Sequence, residues 1–215
     1  MQALTQSLKY RQWVAALAQN GTTLHHLEER FTYRKPNGEV LFALIEAQAT
    51  SAEGNPLLPL LLLRGRFVMA VVELVLTTSG ERFLVLVAQH RLATGGLFYS
   101  HPAGMADSEA DLKKVVVKEV WEETGLSITP DQVAPLALGP YYTSDGILDE
   151  AGEFFLVSLP ITPEALEDLQ GRRTGAPDEP EFIHLHIVTP AQALGLIRNV
   201  AGHLCTYLYL EHRRA

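Results

Sequence analysis

The sequence predicts an α/β fold in which helices cover a β-sheet. Two observations carry that expectation. Residues 67–78 (FVMAVVELVLTT) and 82–91 (RFLVLVAQHR) are near-continuous apolar runs joined at a Ser79-Gly80 turn, as suits strands buried on both faces. Other stretches carry helical spacing and helical end signals. Residues 108–125 form one, and a C-terminal helix opens at Thr189-Pro190, with proline in a favoured first position.

Taken in order, residues 5–19 (TQSLKYRQWVAALAQ) read as a short amphipathic helix. Leu8, Trp13, Val14 and Leu17 lie near one side, and Asn20-Gly21 end it. Residues 22–50 predict two or three strands around a Pro36-Asn37-Gly38 turn. Residues 51–56 are a polar loop, and the LLPLLLL run at 57–63 reads as a buried strand. Residues 97–102 predict another strand. After a turn-rich stretch come a strand at 154–159, a short acidic helix at 162–170, a charged loop at 171–181 and a strand at 182–188.

A chain of 215 residues with 47% hydrophobic content can bury a sizeable core, enough for one main domain with an N-terminal appendage. The single Cys205 rules out an intrachain disulfide and suits a reducing cytoplasm. No apolar segment is long enough to span a bilayer, and no signal peptide is visible, so no membrane association is expected. A net charge of −8 argues against a nucleic-acid surface and repels an anionic substrate as well. An acidic protein acting on an anion needs local positive charge, from metal ions or a few basic side chains.

The stretch 104–126 (GMADSEADLKKVVVKEVWEETGL) concentrates the chemistry. Ser108 is a good N-cap with an acid, Asp111, three residues on. Leu112, Val115, Val116 and Val120 give an apolar face, and Gly125 sits where a left-handed cap is expected. Glu119, Glu122 and Glu123 share one face near the helix C-terminus, where like charges repel each other and the macrodipole. A bound cation removes that penalty, and carboxylate oxygens suit Mg²⁺ or Mn²⁺. A solvated acidic face is the plain alternative.

Gly104 followed by Lys118-Glu119-Val120-x-Glu122-Glu123-x-Gly125-Leu126 resembles the Nudix box, with Ala110 in place of its first glutamate and Lys118 in place of its arginine. The stretches LLLRGRFVMAVVELVL, VAQHR, HPAGM and DGILDEAGEFFLV resemble the ADP-sugar and ADP-ribose diphosphatase branch of that family. The resemblance implies an α/β/α sandwich with a mixed sheet and an N-terminal helix-plus-strands extension. It also implies an extension over residues 1–66 that serves a homodimer, and a Nudix hydrolase domain over 67–215. Metal ligands are implied at Glu119, Glu123, Glu122 and the Ala103 carbonyl.

The implied reaction is Mg²⁺- or Mn²⁺-dependent hydrolysis of a nucleoside-diphosphate sugar, of ADP-ribose or ADP-glucose type, to AMP and a sugar phosphate. Glu150, beside Asp149 and ahead of Glu153, is expected to serve as general base, with Glu122 assisting catalysis. Gly146 and Gly152 suggest that this loop closes over substrate. Arg91 and Arg66 are the expected substrate contacts, Arg64 a weaker one, and Tyr141, Tyr142 or Phe98 can stack a base. His101, just before the box, stands where an acid is common. The alternatives are another nucleoside diphosphate derivative as substrate, or a degenerate domain that binds nucleotides without turnover, for which Ala110 and Lys118 speak.

Overall fold

The computed structural model describes residues 3–175 and 182–214, and the chain divides into two compact units. The end of the expected loop at 171–181 lies outside the described residues. The first unit comprises Met1–Phe67, Met105–Ala110 and Tyr141–Gly152; the second comprises Val68–Gly104, Asp111–Pro140 and Glu153–Ala215.

In the first unit a 3₁₀ turn (Leu4–Gln6) precedes α1 (Leu8–Gln19), whose N-cap Ser7 accepts from the Tyr10 N–H. β1 (Thr23–Arg34), β2 (Val40–Thr50) and β3 (Leu60–Leu63) form a three-stranded antiparallel sheet. The expected turn closes β1 to β2, with Gly38 donating to the Lys35 carbonyl at 2.9 Å. Leu4, Val40, Ala43, Ile45 and Leu63 make the core, and Tyr10, Trp13, Leu27 and Leu61 pack against it. The run at 57–63 differs from expectation. Only Leu63 is fully buried, while Leu57, Leu58 and Leu60 are exposed, Leu58 at 72%. β3 pairs with β2 alone in this sheet and so borders it, and a border strand need not be covered on both faces.

The second unit is built on β4 (Arg66–Leu76) and β5 (Arg82–Arg91), with β6 (Gly96–Ser100) pairing β5 and β7 (Ala103–Met105) pairing β4. α2 follows at Leu112–Thr124, then β8 (Val133–Pro135), β9 (Tyr141–Tyr142, in the first unit), β10 (Ala151–Ile161, in the second unit from Glu153 on), α3 (Pro163–Leu169), β11 (Arg173–Thr174), β12 (Ile183–Val188), α4 (Pro190–Leu196) and α5 (Val200–Arg214). The backbone order of the sheet is β11-β12-β5-β4-β10-β8. Residues 67–74 of β4 are all buried. Successive strand side chains point to opposite faces, so this strand is covered on both sides, as the apolar run predicted. The expected C-terminal helix is two. Asn199 breaks it and caps α5, its side chain accepting from the Gly202 N–H at 2.6 Å. Among the described residues no helix is long and apolar enough to cross a membrane.

One residue in the apolar run is charged. Glu73 on β4 is 0% exposed and accepts hydrogen bonds from Ser158 Oγ (2.5 Å), Tyr209 Oη (2.7 Å), Arg213 Nε (2.9 Å) and Arg82 Nη1 (3.1 Å). A buried carboxylate is tolerable only with such partners. The network ties α5 to the centre of the sheet. The lone Cys205 is also buried on α5, and burial pushes its thiol well above the ordinary range.

Candidate metal centre and active site

The helix that carries the acidic turn starts later than expected. Asp111, not Ser108, is the N-cap of α2, its side chain accepting from the Lys113 N–H. Residues 105–110 belong to the first unit, where Lys9 and Lys35 each place an ammonium 2.8 Å from an Asp107 carboxylate oxygen. That pairing holds the segment out of the helix, and the next cap residue takes over. The C-terminal end matches expectation: Gly125 is left-handed at φ 72° and donates to the Trp121 carbonyl.

Glu119, Glu122, Glu123 and Ala103 all lie in the second unit. Glu123 is buried and one carboxylate oxygen accepts the Ala103 N–H at 3.0 Å, so the β7 strand fixes this side chain. Glu119 is three-quarters or more covered and rests against Gly104. A Cβ at Gly104 would fall inside the Glu119 carboxylate, so this approach requires glycine. Glu122 is half-buried. The carbonyls of Glu122 and Glu123, left over at the helix end, are met by the Gly175 N–H (3.2 Å) and the Thr174 hydroxyl (2.5 Å). Thr174 and Gly175 were not singled out in the sequence, where short turn residues carry no signal.

α2 carries Lys114 and Lys118 ahead of the acidic turn. Lys114 reaches Asp111 only at 4.0 Å, and Lys118 turns the other way. Its Nζ lies 2.7 Å from Glu122 Oε2 and 3.4 Å from Glu119 Oε1. Burial alone would lower this ammonium's pKa; the contacts with Glu122 and Glu119 outweigh it and hold the pKa above the ordinary lysine value. Among the described residues no three His, Cys, Asp or Glu side chains are arranged, as they stand, to hold an ion. The donor chemistry nevertheless fits a hard divalent cation: three carboxylates on one turn, two of them fixed by β7, and a positive charge already lodged between two of them.

His101 is fully buried, with Nε2 2.8 Å from Thr206 Oγ1. Thr206 spends its one hydroxyl proton on the Gly202 carbonyl, so His101 Nε2 donates and Nδ1 carries the bare lone pair. That Nδ1 is buried without a hydrogen-bond partner among the described residues. Burial pushes the imidazole down to about 3 from its ordinary 6.5. The folded state therefore excludes a proton that the unfolded chain takes up. Stability should fall as pH drops below 6.5. His101→Leu should flatten the melting-temperature profile between pH 6.5 and 5; an unchanged slope would show that the imidazole is not responsible.

The remaining expected site residues divide between the units. Arg91, in the second, ends β5 with an exposed side chain that has no partner among the described residues. Arg66, in the first, is exposed at the start of β4. Also in the first, Glu150 accepts from Arg64 Nε (3.0 Å) and Thr143 Oγ1 (3.1 Å). Arg64 is thus committed to Glu150. Asp149 accepts the backbone N–H groups of Arg64 (2.6 Å) and Gly65 (3.1 Å); burial pushes its carboxyl up against the pull of those donors. The strand after this loop begins at Ala151 rather than Phe154, because Ala151 and Gly152 pair with Tyr142 and Tyr141. Glu153 is therefore inside β10. Gly152 is no hinge: it lies in the strand directly under the Phe67 ring.

Residues 67–208 match the NUDIX domain family. The chain belongs to the Nudix family. It is 32% identical over 125 residues to Nudix hydrolase 14, chloroplastic, from Arabidopsis thaliana, covering 54% of this chain. The chain spans about 40% of the length of that curated relative. A crystal structure of an ADP compounds hydrolase superposes with a TM-score of 0.59 at 14% identity, covering 90% of this chain and 94% of that one. The likeness bears out the Nudix-type α/β fold. The second unit thus presents the Nudix helix, α2, with its acidic last turn held by β7 and by Thr174-Gly175.

Proposed function

We propose that this chain is a divalent-metal-dependent Nudix pyrophosphatase that cleaves a nucleoside-diphosphate sugar, of ADP-ribose or ADP-glucose type, to AMP and a sugar phosphate. The observation that carries the reading is the acidic turn of α2: Glu123 fixed by the Ala103 N–H and Glu119 seated against Gly104. The ADP class rests on the sequence resemblance and on the likeness to an ADP compounds hydrolase. Glu119, Glu122, Glu123 and the Ala103 carbonyl would hold Mg²⁺ or Mn²⁺. When bound, the ion supplies charge neutralisation at the diphosphate and a more acidic water.

The chain's own residues divide the remaining work. Arg91 and Arg66 are assigned to the anionic substrate as cations that can pair with phosphate oxygens. Glu150 is assigned to proton removal from the attacking water, with Glu122 assisting. The support for Glu150 is that Arg64 and Thr143 hold its carboxylate in one orientation, while Asp149 is spent on backbone N–H groups. Glu150→Gln should lower kcat far more than KM, since it removes a group that acts in the transition state. Equal kcat in the variant would refute the assignment. The deciding experiment for the function is AMP release from a panel of nucleotide sugars with Mg²⁺ and with EDTA. Absence of Mg²⁺-dependent AMP, alongside nucleotide binding, would favour the non-catalytic sensor that Ala110 and Lys118 suggest.

Two further assignments belong to this proposal. The first unit is expected to serve a homodimer. It exposes Phe31 and Tyr33 on β1, Leu60 on β3 and Leu57 and Leu58 just before β3, apolar side chains that a partner subunit would cover. Light scattering at micromolar concentration should give twice the chain mass, and a monomer mass would overturn it. The compartment is taken as the reducing cytoplasm, on the strength of the lone, buried Cys205, and cell fractionation tests that.

A further inference from the structure

Three carboxylates within one turn at a helix C-terminus repel each other and the helix dipole, so the turn needs a positive charge to be stable. Here the protein supplies one. Ala110, which stands where the Nudix box has its first glutamate, offers no carboxylate. Lys118 reaches along its own helix to Glu122 and Glu119, at 2.7 and 3.4 Å. The lysine side chain is 61% exposed, on a flexible stem, and among the described residues these two carboxylates are what it pairs with. An arginine in the same position would present a planar fork suited to a fixed structural pair; a lysine is a point charge that can let go.

We propose that Lys118 is the resident counter-ion of the α2 carboxylates, holding the acidic turn together without metal and yielding its place when a divalent cation binds. The inference rests on the metal-centre reading above and adds a role for a residue outside the ligand set. Metal affinity then reflects a competition between the ammonium and the ion for Glu119 and Glu122. It follows that the lysine weakens metal binding while it stabilises the metal-free fold, two opposite effects of one side chain.

The test is Mn²⁺ titration calorimetry and melting in EDTA on the full chain, comparing wild type with Lys118→Met, Lys118→Arg and Lys114→Met, and with Glu119→Gln as a ligand control. Lys118→Met should bind Mn²⁺ about fivefold more tightly, the size expected from removing one exposed ion pair. It should also melt at a lower temperature than wild type in EDTA. Lys118→Arg, whose planar fork grips the carboxylates and yields less readily, should bind Mn²⁺ more weakly than wild type. Lys114→Met, which removes a charge from the same helix but pairs only weakly with Asp111, should stay within about twofold. Unchanged or weaker Mn²⁺ binding in Lys118→Met, with wild type binding normally, overturns the counter-ion role and leaves the metal centre standing. No saturable Mn²⁺ binding by wild type, or binding indifferent to Glu119→Gln, overturns the metal centre and this inference with it.

Discussion

Glu119→Gln and Glu123→Gln should each cut turnover on the order of a hundredfold or more while leaving the melting temperature close to wild type. The substitution is nearly isosteric and removes one negative charge. At 123 the amide oxygen can still accept the Ala103 N–H, and the link from Thr174 runs to the backbone carbonyl, which the change does not touch. At 119 the amide oxygen still faces Lys118. Fold and packing are therefore retained and only ligand charge is lost. Gly104→Ala should give a similar loss by a different route, since its methyl group has to push the Glu119 carboxylate off its seat. Steady-state rates with saturating Mg²⁺ decide both. Wild-type turnover in Glu119→Gln or Glu123→Gln would end the assignment of these residues as ligands.

The largest stability effect is expected at Glu73. Glu73→Leu replaces a fully buried carboxylate with an apolar side chain of similar size and strands the groups that bonded to it. The Arg82 and Arg213 guanidinium groups are part-exposed and can reach water, but the Tyr209 hydroxyl is buried. Breaking a buried ionic network by removing one partner costs about 3–5 kcal/mol. For a chain of this size that lowers the melting temperature by about 10 °C. Glu73→Gln should fall between, keeping acceptor oxygen but losing charge. The network also has a pH signature. Burial pushes the Glu73 carboxyl up, but Ser158, Tyr209 and Arg213 outweigh it and hold it below its ordinary 4.5. Its stabilisation is complete above the unfolded value of 4.5 and is lost as pH falls through the lower folded value. Burial, with the hydrogen bond to Glu73 and its charge, pushes the Tyr209 phenol up to about 12 against the pull of Arg213. A Glu73→Leu variant that melts like wild type would show that the network contributes nothing.

What was legible in the sequence follows from the physics of each signal. The end of α2 could be read because a left-handed glycine and three acids at helical spacing are local properties. The start could not, because Ser108 and Asp111 are both good caps. The choice between them was made by Lys9 and Lys35, which lie 98 and 72 residues before Asp107 in the chain, beyond the reach of any local rule. The β4 and β5 strands were legible because both faces are covered and the apolar runs are broken only by Glu73. The LLPLLLL run misled for the complementary reason: hydrophobicity reports what a residue prefers, not whether a border strand is covered. Glu73 was a visible signal left unused, since a charge inside an otherwise apolar strand must have partners. The direction of Lys118 was not legible, because a lysine one residue from one glutamate and four from another can pair with either, both or neither.

The two tryptophans are distributed one to each unit. Trp13 lies in the first, its ring edge-on to Tyr10 at 5.8 Å, and Trp121 lies on α2 in the second, 56% exposed and next in sequence to Glu122. The protein thus carries an intrinsic fluorophore in each unit without any labelling. Emission from Trp13→Phe reports the second unit alone, and emission from Trp121→Phe reports the first alone. A pair of single-tryptophan proteins can therefore show whether the two units melt together or separately, and which of them responds when Mn²⁺, a paramagnetic quencher, is added.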